Sequence, residues 1–328
     1  MRAAVLHAYG EPPVPGERPA PDAGDDRVLV DVTAAPIASL DLICASGTSY
    51  LGAPSLPYVP GVQGVGRIAL AGDLTTGTRV WFATSAGMAP GDGSLAEACS
   101  VAVEDVVPLG SELDEVADDH VAAIGLSGVA AWMCLTWRAV LRPGERVLVL
   151  GAGGVVGQVA VAAARRLGAG PVVGACRTEA AERRARRSGA DEVIRLVDGA
   201  EVHELAETFM SAAHGPIDVV IDPVFGPAAR AATLALADGG RLVNLGGLGG
   251  DAAELSSSAL RGRTASVLGY TNNALTPGQR ADALVSVLRM AAGGALDVDR
   301  QTYTLDDVQA AWEMAKASSG VRPVALPH

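Results

Sequence analysis

Lysine is almost absent from this sequence. Of its 25 basic residues only Lys316 is a lysine, so a lysine Schiff base has a single candidate, in the C-terminal region. Positive charge is also short: 37 acidic residues against 25 basic ones leave a formal net charge of −12. A chain this acidic repels phosphate backbones on average, which argues against nucleic acid as a partner. Cysteine is sparse. Cys44, Cys99, Cys134 and Cys176 lie far apart and form no C-x-x-C pair, so they read as reduced, buried thiols of a cytoplasmic protein. None of the five histidines stands at chelating spacing from another His or Cys. Long apolar runs are missing too, since none reaches the ~18 residues that span a bilayer. The longest tract, around Val121–Leu135, contains Ser127 and two glycines and reads as a buried helix. The opening "MRAAVLHAYG" looks like a strand, without the apolar core of a secretory signal. The expectation is a cytoplasmic protein with neither nucleic acid nor membrane as partner.

What is present is aliphatic: 49% of the 328 residues are hydrophobic, enough for a large core and comfortable for two domains. Roughly the first hundred residues are short, valine-rich strand candidates such as "RVLVDVTAAPI" and "TRVWFAT", punctuated by Gly and Pro. Glu11–Asp26 reads as a Pro/Gly/Asp surface loop, and "SLDLICASG" as a helical turn with Ser39 as N-cap. From about Ser111 the spacing turns helical, with acids at the start where the helix dipole favours them. Strands and helices then alternate to about Tyr270. Strands that are apolar throughout, alternating with helices, imply an α/β fold with a doubly wound parallel sheet covered on both faces. Two further helices and the strand "VRPVALP" close the chain.

The most informative stretch is "VLVLGAGGVVGQVAVAAARRLGA". A buried strand runs into Gly151, Gly154 and Gly157, with Gly153 beside the second, and a helix opens near Val155. A tight strand-to-helix turn needs backbone angles that glycine reaches without strain. Close approach of a pyrophosphate excludes a Cβ, and the helix N-terminus then offers free N–H groups and a positive dipole end. Gly151, Gly154, Val155, Val156 and Gly157 are the expected phosphate cradle of a dinucleotide. An NAD site wants an acid at the end of the next strand. Here "VVGACRTEAAERRARR" has Arg177 and Thr178 instead, and a guanidinium can clasp a 2′-phosphate bidentately. Arg183, Arg184, Arg186 and Arg187 add charge on the following helix, though Glu179–Arg183 and Glu182–Arg186 stand at i,i+4 and can simply pair. The expected cofactor is NADPH.

Several motifs together resemble the medium-chain dehydrogenase/reductase superfamily, and most nearly its zinc-independent quinone oxidoreductase (zeta-crystallin-like) branch. They are "LPYVPGVQGVGRI", "GTRVWFA", "GSLAEACSV", "LRPGERVLVLGAGGVVGQVAVAAARRLGA", "SGADEVI" and "VVIDPVFG…LADGGRLVNLGG", covering nearly the whole chain. The resemblance implies a GroES-like β-barrel catalytic domain over 1–119 and 274–328 and a Rossmann NADP-binding domain over 120–273. It also implies that Val224, Leu245 and Gly246 border the cofactor. The positions that hold catalytic zinc in the alcohol dehydrogenase branch match Ala38, Val62 with Gln63, and Ser127. None is a thiolate, imidazole or carboxylate, so no metal is expected.

Without a Lewis acid to hold an alkoxide, the resemblance points to hydride delivery from NADPH to a quinone or an α,β-unsaturated carbonyl. The alternatives are an enoyl reductase acting on a thioester or specialised-metabolite intermediate, and an NADPH-binding protein with little catalysis. Such a reduction needs positioning, a donor at the carbonyl oxygen and a proton for the product. The candidates are Tyr50, Gln63 and Asn272, with Asn273 beside it; Tyr58 reads better as packing and Asp41 as a cap. Ala38, Leu42, Ala130, Ala181 and Leu196 are apolar where the branch often carries polar or aromatic residues, which suits a hydrophobic carbonyl substrate. The edge strand "ASVLGY" can pair across a two-fold axis, so a homodimer is expected.

Overall fold

Period-two burial builds the first part of the chain. In this computed structural model, which describes residues 1–24, 26–49, 52–70 and 75–328, β1 (Arg2–Val5) and β2 (Val14–Glu17) pair antiparallel with Arg2 opposite Glu17. The segment Glu11–Asp26 therefore holds a strand, contrary to the loop its composition suggests. A two-stranded ribbon has free edges, where Pro15 is tolerated. β3 (Arg27–Pro36) turns Val28, Val30, Val32 and Ala34 inward. α1 (Ser39–Ala45) follows, and its N-cap is Ala38 rather than Ser39. No hydroxyl is needed there, because the Ala38 N–H donates to Asp41 Oδ2 at 2.8 Å from one turn inside the helix.

β4 (Gln63–Leu70), β5 (Arg79–Ala83), β6 (Ala98–Ala102) and β7 (Val106–Pro108) complete the N-terminal strands. α2 (Asp118–Met133) then runs into a π-helical turn, Cys134–Arg138. Its first-turn acids are ion-paired, Asp118 with Arg79 at 2.7 Å and Asp119 with Arg300 at 2.8 Å. Asp118–Arg138 is long and apolar enough by composition to cross a membrane, with a mean hydropathy of 1.4 over its best 18-residue window, but 67% of that window is buried inside the fold. The sequence reading of a buried core helix agrees with this.

The next stretch alternates strictly. β8 (Val147–Leu150), α3 (Val155–Arg166), β9 (Val172–Cys176), α4 (Glu179–Arg187) and β10 (Glu192–Arg195) come first. α5 (Val202–Ala212), β11 (Ile217–Asp222), α6 (Gly226–Leu234), β12 (Leu236–Asn244), α7 (Ser257–Gly262), β13 (Ser266–Gly269) and α8 (Pro277–Ala292) follow. The six strands form one sheet in the order β10-β9-β8-β11-β12-β13, every pair parallel. β8 and β9 are buried along their whole length, as strands covered on both faces must be. Leu148, Leu150, Val173, Phe209, Val220 and Leu242 are among the residues of this core.

β14 (Arg300–Thr304), α9 (Val308–Lys316) and β15 (Arg322–Leu326) bring the chain back to the first sheet. That sheet has seven strands in the order β14-β15-β3-β4-β5-β7, with β6 also on β3. Its core includes Val28, Val30, Val80, Phe82, Leu95 and Trp312. The chain divides into two compact units, Met1–Leu126 with Val298–His328, and Ser127–Asp297. The return to the first unit thus comes later than the 273/274 boundary expected from sequence. α8 counts with the second unit, and β14 is the first strand to rejoin the seven-stranded sheet.

Candidate functional site

Strand order reverses in the six-stranded sheet between β8 and β11, which opens a crevice at the carboxyl ends of these strands. Register puts the sequence candidates at that edge. Val149 pairs with Gly174 on β9 and Ile221 on β11, Ile221 with Val243, and Val243 with Leu268. Two residues further along each strand lie Gly151, Cys176, Pro223, Leu245 and Tyr270.

The glycines of the β8–α3 turn do different jobs. Gly151 has φ +64°, a left-handed conformation that favours glycine, and a Cβ there would meet Val224 Cγ2 at 3.0 Å. A Cβ on Gly157 would lie 2.6 Å from Ala152 Cα, so Gly157 lets α3 pack on the turn. A Cβ on Gly153 would run into Ala181 of α4, 2.6 Å from its carbonyl oxygen. Gly154 differs: its φ is −78°, and a Cβ would meet only Gly151 O, at an ordinary 3.4 Å. The protein itself has no steric need for glycine at 154. The space above it is a cradle that a side chain would fill. Gly154 N–H donates to Gly151 O at 2.9 Å, and the Gln158 N–H is the first in α3 to find an intrahelical acceptor, Gly154 O at 2.8 Å. The N–H groups of Val155, Val156 and Gly157 are therefore left for an anion. The residues present fit a dinucleotide diphosphate.

At the end of β9 the arginines separate. Arg183 pairs with Glu179 at 2.6 Å and Arg186 with Glu182 at 3.2 Å, while Arg195 also takes Glu182 at 2.7 Å. These hydrogen bonds from Arg195 and Arg186 hold the Glu182 carboxyl below its usual range. Arg177 is exposed and, among the described residues, makes no hydrogen bond or ion pair. Thr178 caps α4, its hydroxyl oxygen accepting the Ala181 N–H at 3.2 Å, and its O–H remains a donor.

The loops after β11 and β12 are tied by two residues that sequence reasoning missed. Asp222 is fully buried, and its Oδ1 accepts the N–H groups of Val224 at 3.0 Å and Phe225 at 2.7 Å. Asn244 Nδ2 donates to Asp222 Oδ2 at 3.2 Å and to Gly246 O at 2.8 Å. Burial pushes the Asp222 carboxyl up, against the pull of these donors. Phe225 sits at φ 60°, ψ −156°, a region close to glycine-only, which the Asp222 bonds enforce. Val224 is wedged between Gly151 and Gly249, and a Cβ on Gly246 would lie 2.7 Å from Pro223 O. The only signal in the sequence is a polar residue ending each of two apolar strands, "IDVVID" and "GRLVN". Beyond β13, Asn272 Oδ1 accepts the Tyr270 hydroxyl at 2.6 Å, and Trp137 meets the Tyr270 ring edge-on at 6.2 Å.

Tyr50 and Gln63 are the remaining sequence candidates. Tyr50 is outside the described residues. Gln63 opens β4 in the first unit and is fully buried. Its Oε1 accepts the Trp81 indole N–H at 3.1 Å and the Leu126 N–H at 2.7 Å. Two N–H donors on one atom identify it as the oxygen. The Leu126 N–H needs that acceptor because α2 breaks at Gly125, with φ 24° and ψ −128°. Gln63 thus caps a helix break, and Nε2 is its one group without a partner among the described residues. Asp41 is a structural hub, as its sequence reading as a cap suggests: besides Ala38 it accepts the N–H groups of Gly61 at 3.0 Å and Val62 at 2.9 Å. Burial lifts its carboxyl from 3.8 to about 6. Tyr58 packs in the core of the first unit. Ala38 and Val62 are buried and apolar. Among the described residues no three His, Cys, Asp or Glu side chains gather to hold a metal.

Comparison with known proteins adds three kinds of likeness. An alcohol dehydrogenase GroES-like domain family matches residues 24–111, and a zinc-binding dehydrogenase family matches residues 155–288. Quinone oxidoreductase of Lama guanicoe is 30% identical over 256 residues, covering 76% of this chain and 74% of that protein. A phenolphthiocerol/phthiocerol polyketide synthase subunit of Mycobacterium tuberculosis is 30% identical over 296 residues, 88% of this chain; the chain spans only 13% of that protein's length. Among solved structures, the quinone oxidoreductase of Thermus thermophilus, determined also in complex with NADPH, superposes with a TM-score of 0.78 at 28% identity, covering 100% of both chains.

Proposed function

The chain belongs to the quinone oxidoreductase branch of the medium-chain dehydrogenase/reductase superfamily, and from that premise we propose an NADPH-dependent reductase that delivers hydride, without a metal, to a quinone or an α,β-unsaturated carbonyl. The observation that carries this is the β8–α3 turn, where Gly154 keeps an open cradle over three uncommitted N–H groups. The Thermus relative's complex with NADPH supports the choice of cofactor.

The hydride itself is supplied by the nicotinamide when NADPH is bound. The chain's own residues bind and orient. The N–H groups of Val155, Val156 and Gly157 would hold the diphosphate at the positive end of α3. Arg177, with no partner among the described residues to give up, would take the 2′-phosphate, and the Thr178 hydroxyl would add a donor. Val224, Leu245 and Gly246, fixed by the Asp222–Asn244 pair, border the crevice. Asn272, whose Oδ1 accepts the Tyr270 hydroxyl, would bind the nicotinamide carboxamide. Tyr50 is the proposed donor to the substrate carbonyl. Gln63 can offer only Nε2, since its oxygen is committed to Trp81 and Leu126. The metal-free reading is supported by side-chain chemistry at Ala38, Val62, Gln63 and Ser127, where no thiolate, imidazole or carboxylate stands.

A second reading, an enoyl reductase acting on a thioester, is favoured by the match to a segment of a polyketide synthase. NADPH absorbance followed with quinones, simple enones and enoyl thioesters separates the two. Turnover of quinones or enones supports the first reading, and turnover of thioesters alone supports the second. Tight NADPH binding without turnover of any would make the chain an NADPH-binding protein with little catalysis. We also propose a homodimer. β13 ends the parallel sheet with Val267 37% exposed, and an unpaired edge is a ready surface for two-fold pairing.

A further inference from the structure

α4 is polar over most of its surface, yet one of its arginines points inward. Arg184 is only 7% exposed, with Ala185 fully buried beside it. The other side chains on this inner face are small: Ala181 lies against Gly153, and Ala185 lies 3.4 Å from where a Gly174 Cβ would be. An apolar residue at 184 would suit that face. Burying a guanidinium there is costly. Its Nε donates to Gly153 O at 2.9 Å. That carbonyl already accepts the amide of Gln158 at 3.2 Å, so satisfying it does not require a cation.

The location gives the cation a use. Gly153 and Gly154 share one peptide plane. Its carbonyl is held by Arg184 and Gln158, and its N–H donates to Gly151 O at 2.9 Å. With both ends pinned, the turn cannot rotate, and the next three N–H groups keep their direction. We propose that Arg184 is a positioning residue of the dinucleotide site: it locks the glycine turn from behind and sets a positive charge under the diphosphate. The inference rests on the dinucleotide reading given above. It separates two tasks among the arginines. Arg177 faces a group that only NADPH has. Arg184 serves the diphosphate, which NADPH and NADH share.

The test compares wild type, Arg184→Met and Arg184→Lys by fluorescence titration with NADPH and with NADH, at low and high salt, alongside thermal melts without ligand. Loss of one charge-assisted hydrogen bond predicts about tenfold weaker binding of both nucleotides by Arg184→Met, with their ratio unchanged. The salt dependence of binding should shrink in the Met variant. Arg184→Lys should recover most of the affinity. Equal affinity of all three proteins overturns the proposal. So does a change confined to NADPH, or a fall in melting temperature without a change in affinity. If Arg184→Met does not fold, Arg184→Lys decides: it must bind both nucleotides to within a few-fold of wild type and keep the salt dependence. If wild type itself binds neither nucleotide, the dinucleotide reading falls and this inference falls with it, an outcome distinct from binding that ignores residue 184.

Discussion

Gly154→Ala separates what the fold needs from what a ligand needs. At this position φ is −78° and ψ 167°, angles any residue adopts, and the new Cβ would meet one atom, Gly151 O, at 3.4 Å. Alanine is a poorer N-cap than glycine by up to ~1 kcal/mol. Restricting the unfolded chain returns ~0.4–1 kcal/mol. The two effects nearly cancel, so the melting temperature should stay within a few degrees of wild type. The Cβ fills the cradle, however, and would hold a diphosphate away from the N–H groups of Val155, Val156 and Gly157. Losing one or two charge-assisted hydrogen bonds costs ~2–4 kcal/mol, or about 30- to 1,000-fold in affinity. Gly157→Ala is the control. Its Cβ would lie 2.6 Å from Ala152 Cα in the packed turn, so that variant should be less stable by ~1–3 kcal/mol or more. Calorimetric melts and NADPH titration of both variants check this. A Gly154→Ala protein that folds and binds NADPH like wild type would refute the cradle.

Arg177→Ala should lower the preference for NADPH over NADH by about tenfold, the worth of an exposed charge-assisted contact, and leave NADH binding unchanged; titration with both nucleotides reads this directly. Gln63→Ala should destabilise the fold by ~2–4 kcal/mol, because the Trp81 indole and the Leu126 N–H lose their shared buried acceptor; an unchanged denaturation midpoint would contradict the capping role. Asp41 makes stability depend on pH. Its folded carboxyl titrates at about 6 against an ordinary 3.8, mainly through burial, with Arg322 opposing. A raised acid favours the fold while protonated, so its contribution is lost as pH rises from about 4 through about 6, by ~3 kcal/mol. Melts across that range should show wild type losing ground to Asp41→Asn as pH rises, then a constant gap; a gap independent of pH contradicts it. Val267→Lys should turn the homodimer into a monomer by sedimentation, and a wild type that is already monomeric would remove the β13 pairing.

The parallel sheet was legible because β8 and β9 are apolar at every position, a pattern that only burial on both faces explains. The glycine turn was legible because Gly151 and Gly157 answer local demands of backbone angle and packing. β2 was hidden by Pro15 and Gly16, whose composition signals a turn while the ribbon edge tolerates both. Ser39 looked like a cap because local spacing does not reveal that Asp41 reaches back to Ala38. Gln63 looked like a donor to the substrate carbonyl because the break at Gly125, which needs its oxygen, appears only when β4 and α2 meet. Asp222 and Asn244 went unnoticed for the same reason: each ends a strand, and their partnership exists only across the sheet. Arg184 reads with its neighbours as added positive charge on α4, since four arginines in five positions give no hint of which one turns inward.

One binding event, at the carboxyl edge of β8, underlies the proposed reduction. Isothermal titration of the wild-type chain with NADPH should show one nucleotide per chain, bound at least tenfold tighter than NADH and displaced by NADP+. Absence of heat with either nucleotide, or saturation that persists unchanged in Gly154→Ala, would contradict it.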